Sequence, residues 1–373
     1  MQKALKLFAS LLAITALIAV TGCGKKLSSE ESVAMLKQAI ENSRTTKNQQ
    51  FSIQISPEFD VTTAKTETKP EEKLKGQVDI KLDGYASMKD QFTFQMDTLT
   101  NFDISALAAK VNTESTEEKA SMTTEQKNYK GFIDFDVVMN NENIYFKADI
   151  DREFLNQVAS TFAPLAEGYL STADEEKWWT APLPAEVKTE LVKAATERQN
   201  YVIPDVEIME NVQHKGSKKI LGVKSACFTA EVKQENFAKY LQEFISKNPA
   251  ATGGEELKPE ELKLIEAVTK EIQVGELYIC TSEGENPLIT HTSFEASFDA
   301  QKLAKAVETA ATAEGQPATS ESENISGSFK IKYSADAIEA IKEIEIPKDA
   351  KELLPPGMTA PTGLPTEALP TDL

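Results

Sequence analysis

The sequence predicts an α+β protein built on an antiparallel sheet with one wet face. Three observations carry this. Long stretches alternate apolar with polar residues, later stretches repeat apolar residues at helical spacing, and the helical stretches fall between the later strands. Strands buried on both faces would read as unbroken apolar runs, so a parallel doubly wound sheet is disfavoured.

In chain order, Val33, Leu36 and Ile40 mark a short amphipathic helix. Phe51, Ile53 and Ile55 alternate with Ser52, Gln54 and Ser56, and Val78, Ile80 and Leu82 alternate with Asp79, Lys81 and Asp83. Phe92, Phe94 and Met96 continue the pattern, followed by Ile133, Phe135 and Val137, then Ile144 and Phe146. Asp151 is placed to cap a helix carrying Phe154, Val158, Phe162, Leu165 and Tyr169 on one side. Val187 and Leu191 mark another, opened by Pro184. Gly222 to Val232 and Val274 to Ser282 read as strands. Between them, Phe237, Leu241 and Phe244 define one helix, and Leu262, Ile265, Val268 and Ile272 a second. Leu288 to Phe298 is a strand, Leu303, Val307 and Ala310 a weaker helix, and Phe329, Ile331 and Tyr333 a last strand. Asn112 to Lys130 and Thr312 to Glu323 are polar and expected to be poorly ordered. Five of the chain's 16 prolines fall between Pro355 and Leu373, so residues 353–373 read as a disordered tail.

Composition excludes several functions. The 373 residues include 40 basic and 59 acidic side chains, a net charge of −19, which opposes nucleic acid and anionic membrane surfaces as partners. A mean hydropathy of −0.35 rules out a polytopic membrane protein. The 40% hydrophobic content is enough for a sizeable core. No enzymatic constellation emerges, so neither catalysis nor a cofactor or metal is expected. His214 sits in a turn-like site and His291 alternates within a strand, neither near a second histidine or a cysteine at ligand spacing. Asp134 and Asp136 share a strand face, but that reads as a solvated face opposite Ile133 and Phe135. Gly216 to Gly222 reads as a hairpin turn, not a phosphate loop. Trp178 and Trp179 point to opposite faces in an extended segment, leaving core packing and a carbohydrate or lipid contact both open.

The N-terminal residues give the sharpest signal. Lys3 and Lys6 precede an apolar run of 14 residues from Leu7 to Val20, too short for a membrane-crossing helix, which needs about 20. The run ends in Val20-Thr21-Gly22-Cys23, which resembles the lipobox of bacterial lipoproteins. The resemblance implies a signal peptide over residues 1–22 and lipidation of Cys23 at the mature N-terminus. It also implies attachment to the outer face of a bacterial cell membrane through a tether over residues 23–31. Each buried methylene of such an anchor contributes about 0.8 kcal/mol. Losing residues 1–22 takes two lysines from the net charge of −19, leaving −21. The mature domain is therefore expected to stand off an anionic bilayer.

Export leaves Cys227 and Cys280, 53 residues apart, in an oxidising compartment. Both lie in strand-like segments. A structural disulfide and a pair of free buried thiols are the two readings, the disulfide favoured.

An exported, Cys-anchored chain with successive one-faced strands, then Lys177-Trp178-Trp179, then a helix, resembles the LolA/LppX-like superfamily (the LolA, LolB and LprG group). Lys218-Lys219-Ile220-Leu221-Gly222-Val223-Lys224, the helix from Glu235 to Lys247, and a late strand closing with Ile344-Glu345-Ile346-Pro347-Lys348-Asp349-Ala350 add to it. The resemblance implies that residues 32–352 form a curved antiparallel sheet, an incomplete β-barrel, with helices covering its concave face. It also implies an apolar cavity that holds a lipid or lipidated ligand, and it carries over no ligand-binding residue. A closed envelope module whose partner is another envelope protein is the alternative.

Overall fold

The computed structural model describes residues 29–64, 71–87, 93–111, 122–154, 177–183, 189, 207–248, 259–312, 325–340 and 342–352. The strands are β1 (Asn48–Thr63), β2 (Glu72–Ser87), β3 (Thr93–Val111), β4 (Met122–Met139), β5 (Asn143–Ile150) and β6 (Trp179–Pro182). They continue with β7 (Met209–Ile220), β8 (Val223–Val232), β9 (Gln273–Val274), β10 (Leu277–Ser282), β11 (Ile289–Asp299), β12 (Ile325–Glu339) and β13 (Lys351–Glu352). All thirteen belong to one sheet in the order β13-β6-β5-β4-β3-β2-β1-β12-β11-β10-β8-β7, with β9 beside β11. Their pairings are antiparallel, except that β13 lies parallel to β6. The terminal strands β13 and β7 do not pair, so the sheet is curved but not closed. Twist of about 20–25° per strand accumulates over so many strands and curls an open sheet.

Four helices of more than ten residues lie among the described residues: α1 (Ser29–Thr45), α2 (Gln234–Lys247), α3 (Pro259–Glu271) and α4 (Ala300–Thr312). In α1 and α2 the apolar spacing fixes the buried stripe. Leu36 and Ala39 of α1 join Phe237, Tyr240, Leu241, Phe244 and Ile245 of α2 and Ile265 of α3 in one core. The sheet supplies Ala226, Phe228, Ala230, Leu277, Ile279, Phe294 and Tyr333 to the same core. Phe228, Leu241, Phe244 and Ile279 are 0% exposed, and each such side chain contributes about 1.5–3 kcal/mol by leaving water. Asn248 Nδ2 donates to Phe244 O and satisfies the C-terminal turn of α2. The start of β11 is fastened to α1, where Asn42 Nδ2 donates to Pro287 O and Ile289 N to Ser43 Oγ.

Several expectations need correction. Met122 to Lys130, placed in a poorly ordered insert, is strand: β3 and β4 pair without a break from Phe94 with Met139 to Val111 with Met122. Glu125 to Asn128 are exposed, so the apolar alternation that reports a one-faced strand fades while the backbone ladder continues. The segment Ile344 to Ala350 is not strand; the ladder resumes only at Lys351. Pro347 has no N–H to donate there. The helix expected at Asp151 is described for its first turn, where Asp151 Oδ1 accepts from the amides of Glu153 and Phe154. Its remainder, the helix through Val187 and Leu191, residues 112–121 and 313–323, the N-terminal 28 residues and the tail 353–373 lie outside the described residues.

Candidate functional site

Residues directly opposite one another across a ladder share a face, so the registers sort the sheet into two surfaces. One surface is apolar along its whole width. Phe51 and Ile53 of β1 share it with Ile80 and Leu82 of β2, Met96 and Phe102 of β3, and Ile133 and Phe135 of β4. Phe146 of β5 and Trp179 of β6 extend it to the far edge.

The two halves of this surface differ. Between β12 and β7, α1, α2 and α3 pack on it in the core already described. From β1 to β6, Phe51, Phe94, Met96, Phe102, Ile133, Phe135, Phe146 and Trp179 are half-buried. Their rings contact one another: Phe51 and Phe94 at 6.3 Å, Phe135 and Phe146 at 6.1 Å, and Phe102 stacked on Phe154 at 4.7 Å between centroids. Gly131 makes the Phe154 contact, because a Cβ there would stand 2.3 Å from Phe154 Cβ. At the outer edge Lys351 Nζ lies 5.8 Å over the Trp179 ring. Trp179 is thus placed on the apolar surface by its pairing with Phe146, and Trp178 O accepts the amide of Lys351. Covering an apolar surface of this kind is favourable by about 25 cal/mol per Å² removed from water.

The opposite surface carries polar chemistry in one straight row across the sheet. Successive register partners run Gly216, Cys227, Cys280, His291, Asp336, Ser52, Asp83, Asp97, Asp136 and Lys147. Cys227 and Cys280 face each other and are bridged, with their Cα atoms 4.0 Å apart and Ile220 and Tyr278 packed around the sulfurs. Of the two readings of the cysteine pair, the structure therefore shows the disulfide. The turn entering β8 has Leu221 at φ 47° and Gly222 at φ 89°, the positive pair a two-residue type I′ hairpin requires.

Asp134 and Asp136 do lie on one strand face, as their spacing dictates, with Asp97 directly opposite Asp136. Burial raises the Asp136 carboxyl above the usual range, and repulsion from Asp97 and Asp134 adds to this, while Lys147 at 4.0 Å opposes it. No group of three or more His, Cys, Asp or Glu with metal-binding geometry is found among the described residues. His214 packs against Phe228 at 5.1 Å between centroids.

One cluster escaped motif reading. His291 Nδ1 lies 2.6 Å from Asp336 Oδ1, and His291 Nε2 lies 3.1 Å from Ser293 Oγ. His291 is 8% exposed, and Tyr278 meets its ring edge-on at 5.5 Å. The only sequence signal was His291-Thr292-Ser293, two polar residues on one strand face. The third member, Asp336, arrives through the β11–β12 register.

No family model matches the chain, and neither does any curated protein. Among solved structures, one similar to it is a "TodX deltaS2S3 mutant monoaromatic hydrocarbon channel", at 7% identity over 87% of this chain and 98% of that one, with a TM-score of 0.21.

Proposed function

We propose that this chain is a membrane-anchored extracytoplasmic lipoprotein, held by lipidated Cys23, that binds or shuttles a lipid or other amphiphile on the apolar surface of β1 to β6. In this reading the open sheet is the incomplete barrel of the LolA/LppX-like superfamily, and helices cover its concave face only in part. The supporting observation is the contrast between the two halves of one surface. Three helices pack on the half from β12 to β7, whereas Phe51, Phe94, Phe102, Phe135, Phe146 and Trp179 remain half-buried. A half-buried apolar surface in a chain with 59 acidic side chains suits a ligand whose tail is apolar and whose head stays in solvent.

Native mass spectrometry of the chain from residue 23, carrying Cys23→Ala, tests this. A co-purifying lipid adduct is the expected result. A clean unliganded mass from several expression hosts, with no uptake of a fluorescent fatty acid, would favour the closed envelope module.

A further inference from the structure

We infer that Ser293, His291 and Asp336 form a nucleophilic acyl-transfer site on the polar surface of the sheet, acting on carboxylic esters with good leaving groups. The inference is independent of lipid binding, since the cluster lies on the surface opposite the aromatic one.

The geometry supplies the three roles such chemistry needs, in working order. The carboxylate of Asp336 can only accept, so at 2.6 Å it fixes the imidazole proton on Nδ1. Nε2 is then the acceptor, with the Ser293 hydroxyl 3.1 Å away and able to donate to it. Tyr278 against the ring, and the bridged Cys280 opposite His291 in the ladder, hold the imidazole in place. Burial lowers His291 below its ordinary pKa, which outweighs the hydrogen bond to Asp336, so the ring is neutral and able to accept at pH 7. Ser293 is half-buried on the polar surface, between Tyr278 and Ser334 in the ladder. Its backbone is already paired on both sides, so charge stabilisation falls to side chains. Lys218 supplies a cation, with Nζ 5.0 Å over the Tyr278 ring and its charge acting on His291. A single exposed ammonium is a modest oxyanion partner, which restricts the site to activated esters and excludes amides.

The reaction is balanced without a cofactor. Ser293 Oγ bonds to the ester carbonyl carbon while its proton passes to Nε2 of His291. Collapse breaks the bond from that carbon to the alcohol oxygen, and the alcohol leaves with the proton from Nε2. Water then adds to the acyl carbon, giving a proton to Nε2, and the acyl–Oγ bond breaks as Oγ recovers that proton. General-base assistance of this type contributes about 10²–10⁴-fold in rate.

The test is incubation of the full chain with a fluorophosphonate, followed by intact mass and peptide mapping, alongside turnover of p-nitrophenyl acetate. The expected result is one adduct per chain on Ser293, absent in Ser293→Ala and formed at least 100-fold more slowly in His291→Gln. Ser293→Ala removes a single hydroxyl, and the wild-type protein alone reports whether the adduct forms, so a folding defect in the histidine variant does not blunt the test. Asp336 is a positioning residue. The charged and titratable groups facing His291 are Asp336 from β12, Lys218 from β7 and Tyr278 from β10. Removing the carboxylate in Asp336→Asn therefore moves the acid limb of the labelling rate to lower pH, beyond merely slowing it. No adduct on Ser293, or p-nitrophenyl acetate turnover unchanged in Ser293→Ala, would overturn the assignment.

Discussion

At the scale of single residues, the polar row across the sheet holds an electrostatic conflict. Asp83 faces Asp97 and Asp97 faces Asp136, like charges directly opposite across two ladders. Asp83 is relieved: its pKa is lowered on balance, because hydrogen bonds from Lys81 and Ser52 outweigh the burial that acts first against its charge. Asp136 is not, and its raised pKa means that the folded state holds this proton more readily than the unfolded chain does. The sign follows. The cost is absent below the ordinary carboxylate range, appears as pH rises through it, and is complete above the raised value. Asp136→Asn is therefore expected to raise the melting temperature at pH 7, by the equivalent of about 0.5 kcal/mol for one opposed pair, and to lose that advantage as pH falls towards 3. Thermal melts of both proteins across that pH range check this. A variant less stable than wild type at pH 7 would contradict it. The strand spacing of Asp134 and Asp136 was legible from alternation, and so was their shared face. The repulsion was not, because Asp97 comes opposite only through a register that no local pattern encodes.

At the scale of elements, periodicity served where one face of an element is buried. Phe237, Leu241 and Phe244 define the stripe of α2 that enters the core, and Phe51, Ile53 and Ile55 define the apolar side of β1. It failed where both faces meet water, as in Glu125 to Asn128 of β4, and where proline removes a ladder donor, as at Pro347. Export and the place of both cysteines in strand-like segments suggested a bridge between Cys227 and Cys280, and the register of β8 with β10 sets them face to face. The bridge closes a 53-residue separation containing all of α2 and α3. Limiting the unfolded chain over that length is worth about 4 kcal/mol in the chain-entropy treatment. The Cys227→Ala, Cys280→Ala double variant is expected to lose stability of that order in urea titration. Wild type in reductant should follow it only once the bridge, whose sulfurs are buried, has been opened. A double variant with an unchanged midpoint would show that the bridge adds nothing to the sheet.

At the scale of the whole molecule, the sheet is one apolar surface with two fates. The strand order sets β1 beside β12, so the helix-packed half and the half-buried half meet along the centre. α1 packs into the helix-covered half, where its Leu36 and Ala39 join the core. The fold class was legible from alternation and helical spacing, but the extent of the aromatic surface was not. Phe146 meets Trp179, and Phe102 meets Phe154, only once the ladders are assembled.

Whether apolar ligand tails lie on the surface from β1 to β6 is open to a direct optical measurement. Trp178 and Trp179 are the two tryptophans of the chain, and Trp179 lies on that surface opposite Phe146. In a Trp178→Phe variant all indole emission comes from Trp179, and a bromine-labelled fatty acid quenches an indole it touches. Saturable quenching that the unlabelled fatty acid reverses by competition is the expected result. Emission that stays constant across the titration, while the variant remains folded, would contradict it.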